Sequence, residues 1–486
     1  MAPQASGRLH CSLFPQHLGM TLIVVIDIIV VAALVGIALT KGFERTLPVA
    51  ACFLLLFPIE SQIQLPGLFS LTTQRVVVIT LLGLYIALGK TRDEGGRKRA
   101  LPLKYLVMVQ IVWMLVSTAN SFVFTVSLKT VLSQILDYFV VFYVFSRAIG
   151  GVETVRKILY SLVVGMVICS VFGAIESYSR WSVISLFPPY VHRLSTGVYA
   201  AVSYRGNRVQ STFGHPILFG GALAMAIPQA LYLLTLAKTR GRKVFLWSAI
   251  MLMFVSIYKT GSRGPWIAVF LSLAVLLLLN KDRLRKYVLV IILMTLTVLI
   301  VRPGVWQTIW DLYGETMDPD TLQGVSYQWR YALYRIAVKE LDKDFGRALW
   351  GYGPESFFYL GIEDEFQGHM VTYDSCDSSI AALMIETGYV GLLITALLLL
   401  KPAFVAYRSF RKLAKPANSL CLVLLVNMLA FYFLMTNVAI YGWGQQSYML
   451  WILIALAMTY PHLQRDEGAA DDSAQTVPQL VEAMAF

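Results

Sequence analysis

The chain has 486 residues, 57% of them apolar and 14% charged, with a formal net charge of +12 and a mean hydropathy of +0.66. Soluble globular proteins are about 45–50% apolar, so this balance excludes a soluble enzyme and describes a polytopic membrane protein. The basic residues fall in short clusters between apolar runs rather than on one continuous face, so no nucleic-acid partner is expected.

In chain order, apolar runs long enough to cross a bilayer lie at 20–40, 74–89, 103–121, 131–148, 157–177, 216–236, 243–259, 265–280, 286–302, 378–400, 419–437 and 446–460. They predict an all-α, polytopic integral membrane helical bundle of about twelve transmembrane helices. The first run has the length of a full span and no small-residue cleavage site behind a short core, so it reads as an anchor helix, not a signal peptide. Between the first two runs, TLPVAACFLLLFPIE (46–60) is short and contains Pro48 and Pro58; it is either a thirteenth span or a re-entrant piece.

Five connections carry lysine and arginine, around Lys90–Lys104, Arg147–Lys157, Lys238–Lys243, Lys281–Lys286 and Lys401–Lys415. The positive-inside rule puts these in the cytoplasm and places 178–215, the turn at 259–265 and the long 303–377 connection outside. The chain then divides into an N-terminal transmembrane bundle (1–302), a long periplasmic loop (303–377), C-terminal transmembrane helices (378–460) and a polar, disordered cytoplasmic tail (461–486). Within the loop, residues 327–344 set Trp329, Leu333, Ile336, Ala337 and Leu341 on one face. That spacing predicts an amphipathic helix, and its tyrosines and tryptophan suit the headgroup level. The five cysteines are scattered and form neither a zinc nor a disulfide pattern. No internal repeat points to an inverted-repeat transporter.

Chemistry concentrates at the outer ends of the runs. Arg208, in GNRVQSTFGHPILFGG, Arg263, in YKTGSRGPWIAV, and Arg330, opening the amphipathic helix, are guanidinium groups close to the hydrocarbon. Each is expensive there without an anionic partner. A lipid phosphate or diphosphate suits the forked donors of arginine, while snorkelling or pairing with a structural acid explains any one alone. Arg335, His215, His369 and Asp374 join the substrate-binding candidates, with Gly351 and Gly353 shaping a turn in GRALWGYGPESF. Asp377 and Ser378 stand where a helix N-cap is expected; capping and an active-site role both remain open for Asp377. Glu386, about 13 Å further down that helix, reads as a supporting group, and Asp27 and Asp137 as helix-packing partners.

Taken together, RVQSTFGHPILFGG, TGSRGPWIAV, WRYALYRIAVKELDKDFGRALWGYGPESF and DSSIAALMIETGYVGLL resemble, in order and spacing from Arg208 to Leu393, the O-antigen ligase and polymerase-like family of polytopic membrane glycosyltransferases. The resemblance implies a multi-pass protein of the bacterial inner membrane whose active site faces the periplasm. It implies a polyprenyl-diphosphate-linked glycan donor, a glycan, lipid or protein acceptor, a chain-length regulator as a candidate partner, and no cofactor or metal. Arg208 and Arg263 would hold the diphosphate. Ligases of the family carry a His-Asn pair where this chain has Asp377 and Ser378, which favours a polymerase over a ligase joining glycan to lipid A core or protein. A flippase of lipid-linked sugars is the alternative from another class, and would line a cavity through the bilayer with charge.

Overall fold

A computed structural model describes residues 16–65, 69–89, 101–187 and 208–483. The basic run from Lys90 to Arg99, Cys11 and most of the 178–215 connection lie outside them. Each of the twelve apolar runs coincides with a helix. They are α1 (Gln16–Lys41), α3 (Thr73–Leu88), α4 (Lys104–Ala119), α5 and α6 (Phe124–Gln134 and Val140–Ala148, joined by a π-helical turn), α7 (Val152–Ser179), α8 (Pro216–Leu236), α9 (Arg240–Lys259), α10 (Arg263–Leu279), α11 (Arg283–Val301), α15 (Ser379–Lys412), α16 (Ala417–Met435) and α17 (Gly444–Ala483). Among the described residues, eight helices are long and apolar enough to cross a membrane, and α3, α4 and α10 are shorter apolar helices. The chain is a polytopic all-α membrane protein.

Burial sorts these helices into layers. The most apolar stretch of α8 is 94% buried, whereas that of α11 is 18% buried. A helix apolar all round belongs either in a core or against lipid, and the bundle uses both: α8, α16 and the start of α17 form its centre, and α1 and α11 turn large apolar side chains outward. The segment at 46–60 forms α2 (Thr46–Leu56), with Leu47, Ala50, Ala51, Leu54 and Leu55 all buried. Its eleven residues rise about 16 Å, half of a hydrocarbon core, so this is a packed half-length helix rather than a further span. A short hairpin, β1 (Gln62–Ile63) with β2 (Leu71–Thr72), leads from it into α3. Asp27 on α1 is buried near Thr73 at the start of α3, and Asp137 on the π turn pairs with Arg75 of α3 at 2.9 Å.

The 303–378 connection is folded. It contains α12 (Pro303–Met317), α13 (Leu322–Leu341), α14 (Phe345–Trp350) and the antiparallel hairpin β3 (Ile362–Phe366) with β4 (His369–Tyr373). The expected amphipathic helix is α13, but its apolar face does not lie at the headgroups. Leu333, Ile336, Ala337 and Leu341 are fully buried against Phe357, Ile362, Tyr373 and Ile385, a second core that joins the connection to α15. At the other end of the chain α17 continues as helix to Ala483, through residues that composition alone read as a tail without structure.

Candidate functional site

The three arginines come from separate parts of the chain and are held in one row. Arg208 heads a strap, residues 208–215, that runs into α8. Its Nε donates to the Thr260 carbonyl at 2.9 Å and its Nη2 to the Ser262 hydroxyl at 2.6 Å, while Val209 N–H bonds the Lys259 carbonyl. Those acceptors sit in the turn immediately before Arg263, the first residue of α10. Arg263 Nη2 in turn donates to Gln323 Oε1 at 2.9 Å. Gln323 lies in the first turn of α13, two turns before Arg330, whose Nε donates to the Asn437 carbonyl at 2.8 Å and whose Nη1 reaches Ser326.

One turn beyond Arg330, Tyr334 donates to the Thr436 carbonyl at 3.2 Å and accepts from the Ser378 hydroxyl at 2.8 Å. Burial raises the Tyr334 phenol above its ordinary range, which keeps the hydroxyl protonated. Ser378 is the N-cap of α15, accepting the Ala381 N–H, and Ser379 ties the same corner to Val438, Ile440 and Tyr441. The capping expected of the Asp377–Ser378 pair is therefore done by Ser378, which is fully buried. Asp377 is half-buried, and its carboxylate makes no hydrogen bond or ion pair among the described residues.

The other candidates divide. His215 caps α8, its Nδ1 accepting the Ile217 N–H at 3.2 Å. Arg335 turns toward the hairpin, bonding the Glu365 carbonyl at 2.8 Å and Asp364 at 3.5 Å, where Lys339 also pairs with Asp364 at 2.7 Å. The hydrogen bond from Lys339 holds the Asp364 carboxyl below its usual range. His369, opposite Phe366 in the hairpin register, and Asp374 are exposed, and neither side chain takes part in the row of bonds joining the arginines to Ser378.

Gly351, Gly353 and Glu386 meet at a feature the sequence did not announce. Helix α15 is interrupted at Gly388, with φ 70° and ψ −177°. The carbonyls freed by the break are satisfied from outside: Ile385 O by Tyr352 N–H and Glu386 O by Gly353 N–H, both at 2.9 Å, Glu386 O also by the Ser117 hydroxyl, and Thr387 O by Trp113 Nε1. Non-helical backbone at membrane depth is tolerated only where protein re-satisfies it in this way. The Glu386 carboxyl accepts the Glu355 N–H, so it supports the same junction. Gly351, at φ 73°, lets the loop close on this break, since a Cβ there would lie 2.5 Å from the Glu386 carbonyl carbon.

Sequence reasoning missed the residues that assemble the row, Gln323, Tyr334 and Asn437, because their partners are backbone and hydroxyl groups far away in the chain. No curated protein matches the chain. Residues 248–396 match the family model described as O-Antigen ligase, a span that takes in Arg263, Arg330, Asp377 and the Gly388 break and leaves out Arg208. Over residues 248–396 this multi-pass helical membrane protein is thus similar to O-antigen ligases, and the match supports an O-antigen ligase/polymerase-like family for the chain.

Proposed function

We propose that the chain is a glycosyltransferase of the bacterial inner membrane that polymerises or transfers glycans from a polyprenyl-diphosphate carrier at the periplasmic face. The acceptor hydroxyl attacks the anomeric carbon of the lipid-linked sugar. The bond from that carbon to the carrier oxygen breaks, and its electron pair leaves on the diphosphate. Negative charge grows there as the bond lengthens, so preplaced guanidinium groups stabilise the transition state more than the ground state. Arg208 and Arg263 take that role, with Arg330 beside them, and the reading invokes no metal. Asp377 orients the acceptor hydroxyl and takes its proton.

The observation that supports this reading is three bonds, Arg208 to Ser262, Arg263 to Gln323 and Ser378 to Tyr334, linked to one another by the Ser262–Arg263 turn and by helix α13. It draws four distant stretches of sequence together and leaves Asp377 at the end of the row without a bonding partner among the described residues. Arg263→Ala and Asp377→Asn, each expressed at parental level in a deletion strain, are expected to cut surface polymer at least about a hundredfold, the scale of losing one transition-state donor. Full polymer from both variants would remove the proposal. The deletion strain itself separates the two activities: single capped repeat units mark a lost polymerase, and unattached long chains mark a lost ligase.

A further inference from the structure

Arg208 stands on a strap that has almost no regular structure of its own. Residues 211–213 make one 3-10 turn, Ser211 has φ 53° and Gly214 φ 68°. A serine in the left-handed region is strained and stays there only when its surroundings impose the conformation. The surroundings that do so are side chains. Glu176, in the last turn of α7, accepts the Ser211 N–H at 2.7 Å and the Gln210 N–H at 3.1 Å on the same carboxylate oxygen. From the opposite side Gln445, in the first turn of α17, donates to the Thr212 carbonyl at 2.7 Å and to the Phe57 carbonyl at 2.9 Å. The Ser211 hydroxyl closes on the Cys169 carbonyl, about two turns before Glu176 on α7.

Glu176 is 6% exposed and stands at the end of its helix where the macrodipole disfavours a negative charge. A buried acid in that position is costly unless hydrogen-bonded, and among its bonds are those to the two residues that follow Val209, beside Arg208. We infer that Glu176 and Gln445 are positioning residues for Arg208, gripping the strap from two helices so that the guanidinium is presented to a lipid diphosphate. The inference rests on the reading of Arg208 as a diphosphate ligand. It extends the site to α7 and α17, outside the residues that match the family.

The test is a double-substitution cycle on the full chain purified in nanodiscs, with undecaprenyl diphosphate as the probe and binding as the readout. Glu176→Leu removes the acceptor oxygen and is expected to weaken binding about tenfold, the scale of a lost charged hydrogen bond. Glu176→Gln keeps an oxygen in that place and is expected to restore most of the affinity. In an Arg208→Ala background Glu176→Leu should have no further effect, because a residue that acts only through Arg208 has nothing left to position. Equal weakening by Glu176→Leu in both backgrounds would show a general effect on the fold and overturn the inference. So would unchanged binding by Glu176→Leu where Arg208→Ala weakens it, which would leave the diphosphate reading standing. No loss from Arg208→Ala itself would sink that reading and the inference with it. Should Glu176→Leu fail to accumulate, Gln445→Leu enters the same cycle from the other side of the strap, with the same outcomes deciding.

Discussion

The strap at 208–215 and the mouth of α15 at 377–388 each set an irregular stretch of backbone beside a candidate site residue, and they are held by opposite means. The strap is gripped by buried polar side chains, Glu176 and Gln445, that reach its amides and carbonyls. The mouth is held by backbone meeting backbone, with Tyr352 and Gly353 N–H groups on the carbonyls released at Gly388, an approach that requires glycine. The first arrangement should therefore be sensitive to polarity and protonation, and the second to volume.

The largest effect expected from this contrast is at Gly388. At φ 70° any side chain is strained, and a Cβ there would overlap the Leu349 backbone. Gly388→Val should destabilise the chain by about 4 kcal/mol, strain and overpacking together, read as a loss of the folded peak in detergent chromatography. A variant that melts with the parent would show that the break is not locked by this contact.

On the strap side the sensitive group is Glu60, in the loop after α2. Its Oε1 would lie 3.5 Å from a Cβ at Gly214, its Oε2 has no hydrogen-bond partner among the described residues, and burial pushes its carboxyl from 4.5 up to about 7. The folded chain therefore binds this proton more tightly than the unfolded chain does. The stability it contributes is present below pH 4.5 and is lost as pH rises through 7. Glu60→Gln should melt with the parent at pH 4.5 and gain up to about 3 kcal/mol over it at pH 8. A gap that does not change with pH would contradict the burial argument. The smallest effect belongs to neither region. Lys339, exposed and paired with Asp364 on the hairpin, should cost less than about 1 kcal/mol when changed to methionine, and a larger loss would mean that the hairpin braces the row of arginines.

Much of the fold was legible before any coordinates. Runs of about twenty apolar residues admit few conformations in a bilayer except helix, and all twelve runs lie on helices. The Gly388 break was not legible, because glycine is common inside membrane helices and ETG reads as continuous. Nor could periodicity say whether the apolar face of α13 meets lipid or protein, since Leu333 and Ile336 look the same to both. At the site, Arg208, Arg263 and Arg330 stood out because charge near hydrocarbon is costly. Arg335, named among the substrate-binding candidates, bonds the hairpin at Glu365 and Asp364. Glu176 gave no signal, since nothing in its own helix shows that its partners lie some 35 residues further on.

The central claim is that arginines from three stretches of sequence, with Asp377 at the end of their row, form one site for a lipid diphosphate. It is tested most directly by a cryo-EM structure of the full chain in nanodiscs with undecaprenyl diphosphate. The account expects density for the diphosphate between the guanidinium groups of Arg208 and Arg263, with Asp377 facing it. Well-ordered diphosphate density elsewhere on the chain, with the guanidinium groups still bonded to Thr260, Ser262 and Gln323, would contradict it.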